Sequence, residues 1–439
     1  MAKVTPLSGF PEWLPAEKLV EQQFIDTLRH VFELYGFTPV EPRSVEPLEV
    51  LLSKGDDKEI YTLQRLGAPE RAAEFGLHFD MTVPFARYVQ QFRGELIFPF
   101  KRYQIQKAWR GERPQEGRYR EFYQADIDVI AEGELPLSYD AEFVGLISEV
   151  ISRLPVPKVL TRVNNRKILT GFYAALGIDD PQGVIRVVDK LEKIGPGEVS
   201  RLLQDLGLSE RDAESCLALG TIRSADTSFI SEVEAFGLNH PTLQAGLDEL
   251  AELIEASAET EGLVADLSLA RGLDYYTGTV LECQFVGHEG LGSICSGGRY
   301  DDLAGDAGVK LPGMGISFGV TRMLGYLFGR GLLKAERSSP VTVLVSLPSE
   351  AARAEAAGVA GRLRQRGIPT DVHHAPQKFG KQIRAAERKG IPYVWFFEPG
   401  NPASHEVKDI RSGEQTSADP NTWTPAQEAT ELRVELLKA

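Results

Sequence analysis

The sequence predicts an α+β domain around a mainly antiparallel β-sheet, interrupted by a helical insertion and followed by a small α/β domain. Three observations carry this reading. Residues 101–130 have the composition of a long β-hairpin, residues from about 165 to 262 are helical in pattern and acidic, and beyond 340 strands and helices alternate for about 100 residues. The domains expected are therefore 1–335, containing the insertion at about 165–262, and 341–439. At 439 residues the chain has ample length for more than one core.

The first element is a helix over roughly 17–35, because Val20, Phe24, Leu28, Val31 and Tyr35 recur at spacings of three and four. Gly36 stands where a glycine ends such a helix. Pro39, Pro42 and Pro47 follow, at spacings that fit an edge strand or an irregular interface segment. The hairpin comes next: runs from Tyr103 to Arg110 and from Arg118 to Ile130 flank the polar turn GERPQEG. After the insertion, glycine-rich β character resumes at 271–301, and Gly315 and Gly319 lead into another helix. RSSP at 337–340 reads as a linker. VTVLVSL, PTDVHH and PYVWFF then alternate with helical segments at 350–366 and 378–390.

Composition narrows the function. With 42% hydrophobic and 25% charged residues the chain is not mainly disordered. A net charge of −15 excludes a general polycation, so any contact with nucleic acid must use local basic surfaces. Two such surfaces exist. Residues 101–120 hold seven cationic side chains against Glu112 and Glu116, a net +5, and residues 362–389 hold eight against Asp371 and Glu387, a net +6. Cys216, Cys283 and Cys295 are too scattered for a disulfide framework, and no Cys/His spacing suggests zinc. His373-His374 reads as a solvated strand end. Neither a P-loop nor a Gly-x-Ser-x-Gly elbow is present. The opening residues contain no apolar signal region and no 18-residue apolar run occurs, so a cytoplasmic location without membrane contact is expected.

Alternation along the hairpin's second strand puts Phe122, Gln124 and Asp128 on one face, joined by Arg118 if the strand is regular. An aromatic ring, an amide and a carboxylate beside a basic loop suit a ligand carrying both a base and an amine. RGLDYYTGTVLE at 271–282 clusters Arg271, Tyr275 and Tyr276, with Gly272 and Gly278 permitting close backbone approach. GGRYDDL at 297–303 and LPGMGISFGVTRML at 311–324 put glycines before a helix whose first turn carries Arg322.

Taken in order, these segments resemble the histidyl-tRNA synthetase family of class II aminoacyl-tRNA synthetases. The likeness runs along nearly the whole chain, through SGFPEWLP, DMTVPFARY, WRGERPQEGRYREFYQADIDVI, RGLDYYTGTVLE, GGRYDDLAG and the C-terminal α/β segment. RGLDYYTG is the most discriminating stretch. The resemblance implies a class II synthetase-like catalytic domain with a C-terminal anticodon-binding domain. It also implies a homodimer that uses ATP as substrate, with Mg2+, to activate L-histidine and pass it to tRNA(His).

The resemblance further implies roles for individual residues. Arg110 and Arg271 would be catalytic, beside the α-phosphate and the histidine carboxylate. Arg118 and Arg322 would face the outer phosphates of ATP, while Glu112 and Phe122 would hold adenine. Asp80, Thr82 and Gln124 would surround the α-amino group, and Asp128, Tyr275 and Tyr276 the imidazole. Three positions depart from the family pattern: His78 stands where arginine is usual, Thr321 where an acid commonly precedes Arg322, and Pro42 one place early. A non-catalytic relative, the regulatory subunit that partners ATP phosphoribosyltransferase, shares the catalytic fold. It typically lacks both an intact RGLDYYTG and the anticodon-binding domain, and this sequence has both.

Overall fold

A computed structural model describes residues 5–52, 59–67, 73–270, 276–301 and 310–437. It divides into two compact units, one of Met1–Pro11 with Ile25–Tyr326 and one of Glu12–Phe24 with Leu327–Ala439. The apolar stripe near the start folds as the helix Pro15–Leu34, with Val20, Phe24, Leu28 and Val31 fully buried. Gly36 ends it with φ +78°, a backbone state that glycine adopts freely. Phe32, in the part of this helix that belongs to the first unit, packs against Tyr103 and Phe318 of that unit's sheet.

Strand β1 (Thr38–Pro39) forms an edge of that sheet, where the missing N–H of proline costs no ladder bond. Strands β2 (Val45–Pro47), β3 (Thr62–Leu63) and β4 (Phe75–Leu77) make a separate three-stranded antiparallel sheet in the order β2-β4-β3. The hairpin is β5 (Phe100–Trp109) and β6 (Glu121–Ile130). Its register sets Arg102 opposite Asp128, Gln104 opposite Asp126 and Gln106 opposite Gln124. Its turn is longer than seven residues. Arg118 lies in a bend closed by Gln115, not on the strand, so it does not share the face of Phe122 as a regular strand would require.

Strands β7 (Val159–Asn165), β8 (Arg223–Ser224), β9 (Leu263–Asp266), β10 (Tyr276–Phe285), β11 (Cys295–Tyr300) and β12 (Gly313–Phe318) complete the main sheet. Among the described residues its order is β1-β5-β6-β12-β11-β10-β7-β9-β8. Only the β1–β5 and β7–β9 pairs are parallel. Because β12 pairs with β6, Gly315 faces Asp128 and Ser317 faces Asp126. Residues nearly 200 apart in sequence thus meet on one face.

Between β7 and β9 the chain is helical, from Arg166–Ala175 to Pro241–Ala256. Those two helices touch through glycines: a Cβ on Gly171 would lie 2.2 Å from the Leu243 nitrogen, and one on Gly246 would lie 2.6 Å from the Ile168 nitrogen. The segment is not wholly helical, since β8 pairs with β9. Asp266 fastens this edge, accepting from Arg162 Nε at 2.6 Å and Arg223 Nε at 2.9 Å.

The second unit carries β13 (Leu333–Ala335), β14 (Val343–Val345), β15 (Thr370–Val372), β16 (Tyr393–Glu398), β17 (Asn401–Asp409), β18 (Gln415–Ser417) and β19 (Val434–Leu436). Five of them form a sheet ordered β15-β14-β16-β17-β18, parallel across its first three strands. Helices Arg353–Gln365 and Phe379–Lys389 provide the crossovers. Val343, Val345, Val359, Leu363 and Trp395 are buried together in its core.

The 335/341 boundary read from the sequence differs from the division by contacts, which puts everything from Leu327 onward, together with Glu12–Phe24, in the second unit. The physical reason is that β13 pairs with β19, within the same unit. Arg337, taken as part of a linker, is 7% exposed and donates to the carbonyls of Ala429 and Thr430. His373 is likewise buried, its Nδ1 at 2.7 Å from the Ala375 carbonyl, while His374 is exposed.

Candidate active site

A cavity of about 600 Å3 lies in the first unit against β6, β10, β11 and β12. Asp80, Thr82, Arg110, Glu112, Arg118, Phe122, Gln124, Tyr276 and Arg322 all line it. Arg271 and Tyr275 lie outside the described residues.

Three guanidinium groups gather at one end. Arg110 follows β5, and its Nε donates to the Phe79 carbonyl at 2.9 Å. Its guanidinium carbon stands 5.1 Å from the centre of the Phe122 ring. Arg118 is presented by the hairpin turn and pairs with Glu112 at 3.3 Å. Gly117 shapes that turn with φ +71°, and a Cβ there would come 2.3 Å from Leu291. Arg322, in the first turn of the helix Val320–Gly329, donates to the Leu291 carbonyl. Its Nε is buried with no hydrogen-bond partner among the described residues. Burial lowers the Arg322 pKa, and the nearby charges of Arg118 and Arg110 lower it further, against the pull of Glu282. Like charges held this close without full neutralisation make a site for a polyanion.

The other end is acidic and amidic. Asp80 precedes the helix Thr82–Phe92, and its Oδ1 accepts from the Val83 N–H at 3.2 Å. That bond satisfies one of the helix's free donors and fixes Thr82 at the cavity wall. Gln124 Nε2 donates to Ser317 Oγ at 2.5 Å, leaving its Oε1 buried without a partner among the described residues.

Asp128 lies deeper, in a small side pocket shared with Thr82, Asp126, Tyr276, Ser296 and Tyr300. It does not line the larger cavity. Arg102 Nη2 holds its Oδ2 at 2.6 Å and Tyr300 OH donates to its Oδ1 at 3.1 Å. Arg102 is fully buried, with its guanidinium carbon 4.0 Å from the centre of the Phe85 ring. Burial pushes the Asp128 carboxyl up to about 7, with Asp126 adding to the rise and Arg102 and Tyr300 opposing it.

Four residues of this site escape the sequence reading. Asp126 and Ser317 face each other across β6 and β12 at the cavity wall. Glu282, 3% exposed, lines the same cavity from β10, and Tyr300 completes the side pocket. A signal existed for two of them. Asp126 has the same two-residue spacing that links Gln124 to Asp128, and Glu282 continues the alternation from Tyr276.

The departures also have structural accounts. His78 is fully buried with its Nε2 at 2.6 Å from the Lys107 carbonyl, and its ring leans on Trp109. Burial lowers its pKa, against the raising effect of the Lys107 and Arg43 carbonyls and the Glu46 charge. Thr321 Oγ1 accepts from the Tyr123 N–H at 2.8 Å, tying β6 to the helix that carries Arg322.

The family model for histidyl-tRNA synthetase matches residues 9–323, and that for an anticodon binding domain matches 341–421. A histidine–tRNA ligase of Micrococcus luteus is 52% identical over 447 residues, covering 98% of each chain. One from Thermobifida fusca is 53% identical over 429 residues, covering 95% of this chain and 98% of its own. The crystal structure of histidyl-tRNA synthetase from Nostoc sp. PCC 7120 superposes with a TM-score of 0.87 at 35% identity, covering 95% of this chain and 97% of that one. The chain belongs to the histidyl-tRNA synthetase family, with the class II synthetase fold and a C-terminal anticodon-binding domain.

Proposed function

We propose that the two ends of the cavity divide the work of histidine–tRNA ligation. As an ATP-dependent aminoacyl-tRNA ligase the chain joins histidine to tRNA in two steps. In the first, a histidine carboxylate oxygen attacks the α-phosphorus of ATP and pyrophosphate leaves. In the second, a hydroxyl at the tRNA 3′ end attacks the adenylate's carbonyl and AMP leaves. Neither step needs a protein nucleophile, so this chain's residues act by positioning and by stabilising charge.

The observation that carries this reading is the gathering of Arg110, Arg118 and Arg322 at one end of a cavity whose other end is acidic. Guanidinium groups stay charged and grip phosphate oxygens in pairs, which suits them to the triphosphate. Arg110 sits nearest the amino-acid end and serves the α-phosphate. Arg271 joins it in this reading, on the strength of RGLDYYTG. Phe122 and Glu112 serve adenine. Asp80, Thr82 and Gln124 receive the α-ammonium, and the side pocket of Asp128 and Tyr276, with Tyr275, receives the imidazole.

Magnesium fits this site as a companion of ATP. Among the described residues no group of three or more acidic, histidine or cysteine side chains could hold a metal. Glu282, nearly buried on the cavity wall and electrostatically coupled to Arg322, would be its protein ligand, with ATP oxygens supplying the rest. The ion would offset phosphate charge during attack.

The exposed helix Phe379–Lys389 and its N-cap present Lys378, Lys381, Arg384, Arg388 and Lys389, which supports phosphate contacts with tRNA. Arg364 and Arg366 contribute less than their charge suggests, since they donate to the carbonyls of Thr370 and Trp423. We infer a homodimer, supported by exposed Val45, Leu52, Leu63, Leu66 and Phe75 on and beside the three-stranded sheet. No helix among the described residues is long and apolar enough to cross a membrane, and we assign the enzyme to the cytoplasm. Histidine-dependent exchange of pyrophosphate into ATP by the purified protein tests the function, and failure of any amino acid but histidine to support exchange is the expected result.

A further inference from the structure

The carboxylate aligned with the imidazole by family pattern, Asp128, already has both oxygens engaged, one by Arg102 and one by Tyr300. Its neighbour on the same strand face does not. Asp126 is 6% exposed, and its Oδ1 is buried with no hydrogen-bond partner among the described residues. It borders both the large cavity and the side pocket that ends at Asp128. A buried acceptor without a donor is costly to keep, so one aimed into a ligand cavity points to a donor arriving with the ligand.

Position along the strand says which part of the ligand that is. From the hairpin turn inward the cavity face of β6 reads Phe122, Gln124, Asp126, Asp128, each about 6.6 Å beyond the last. Phe122 stands beside Arg110 at the phosphate end. The substrate carboxylate must lie near Arg110 to reach phosphorus, and its α-ammonium then lies at the level of Gln124. A side chain of histidine's length carries the ring about one step further, to Asp126.

The surrounding charge agrees. Arg102 from β5 lies beside both residues, its Nη1 donating to the backbone carbonyl of Asp126 at 3.4 Å and its Nη2 paired with the Asp128 carboxylate. Both carboxylates are buried, and the charge of buried Arg102 acts on each. Burial pushes the Asp126 carboxyl up, while Arg102, the Ser317 hydroxyl and the more distant Arg110 pull it back.

We propose that Asp126 is a further substrate-binding residue, whose free Oδ1 accepts a ring N–H of histidine and so helps select an imidazole. This rests on the reading of the cavity as the histidine and ATP site. The same carboxylate then rewards a ring that carries N–H donors over an apolar ring of equal size, because only the former satisfies it.

The test uses the full-length protein and its Asp126→Asn and Asp126→Ala variants in pyrophosphate exchange. Two competitors separate the contacts: imidazole lactate keeps the ring and lacks the α-ammonium, and thienylalanine keeps the α-ammonium and lacks a ring N–H. Loss of a charge-assisted bond should raise the KM for histidine by about 10- to 100-fold. Inhibition by imidazole lactate should weaken by a similar factor. The KM for ATP and inhibition by thienylalanine should stay within about threefold of wild type, which also shows that the variants are folded. An unchanged histidine KM overturns the proposal, and so does a selective loss of thienylalanine, which would hand Asp126 to the α-ammonium. If the wild-type protein shows no histidine-dependent exchange, the function itself falls and this assignment with it. A working wild type with an unaffected Asp126→Asn removes the assignment alone.

Discussion

Replacing Arg102 with methionine should produce a protein whose loss of stability depends on pH. Arg102 is fully buried, pairs with Asp128 at 2.6 Å and lies over Phe85 at 4.0 Å. Methionine keeps much of the volume against Phe85, so the main change is the missing charge. With the two charge centres about 4 Å apart and an effective dielectric near 20, the lost attraction is about 4 kcal/mol. Breaking a buried pair by removing one partner costs about 3–5 kcal/mol, which agrees. The sign with pH follows from Asp128. Its carboxyl is raised to about 7 in the folded protein, above its unfolded value, so it favours folding at low pH and that contribution fades as pH rises through 7. Without Arg102 the folded-state value climbs further, and the carboxyl is neutral over a wider range. The variant should therefore fall near wild type at pH 5.5 and lose about 2 kcal/mol at pH 8.5, because the deficit grows by about 1.4 kcal/mol for each pH unit above 7. For a unit of this size that is roughly 3 °C in melting temperature. Thermal unfolding of both proteins at the two pH values measures it. An equal deficit at both would mean that Arg102 acts through packing on Phe85, and no deficit at either would refute the charge argument.

Other expectations concern function. Gly315→Ala should cripple histidine use, because a Cβ there would lie 2.0 Å from Asp128 Oδ1 and force that carboxylate aside. Its histidine KM should rise at least about tenfold with ATP much less affected, and equal changes in both would contradict it. Arg271→Ala should lower adenylate formation by about 10²–10³ while leaving the melting temperature near wild type, and near-normal exchange would remove Arg271 from the chemistry. A chain ending at Arg337 should still exchange pyrophosphate with histidine but charge tRNA poorly, since Lys378, Lys381, Arg384, Arg388 and Lys389 all lie beyond the cut. Unchanged charging by that chain would exclude the C-terminal unit from reading tRNA.

Local pattern carried much of this far. The stripe from Val20 to Val31 marks the helix Pro15–Leu34, and two-residue alternation marks the wall of β6, because both follow from neighbours in the chain. What stayed hidden depends on pairing across long separations. Nothing near Asp128 announces that Arg102 and Tyr300 occupy its oxygens, and Tyr300 comes from a strand 172 residues away. Arg337 looked like linker because its partners, Ala429 and Thr430, lie more than 90 residues on. Arg364 and Arg366 add to the charge count of 362–389, yet in the fold both donate to backbone carbonyls. Composition counts charges, and only the fold says which of them are already engaged.

The pairing of β13 with β19 has a consequence for how the chain is made. Leu333–Ala335 leave the ribosome about 100 residues before Val434–Leu436, their only ladder partner among the described residues. At synthesis rates of about 5–20 residues per second, β13 waits roughly 5–20 s with an unpaired edge. The intervening sheet has time to assemble during that delay, because its pairings β14–β15 and β14–β16 close over shorter stretches of chain. The last strand then acts as a latch, fastened after the sheet of the second unit has formed. Synthesis stopped before Val434 would release a chain with a nearly finished sheet and an open edge at Leu333, a target for chaperones and proteases.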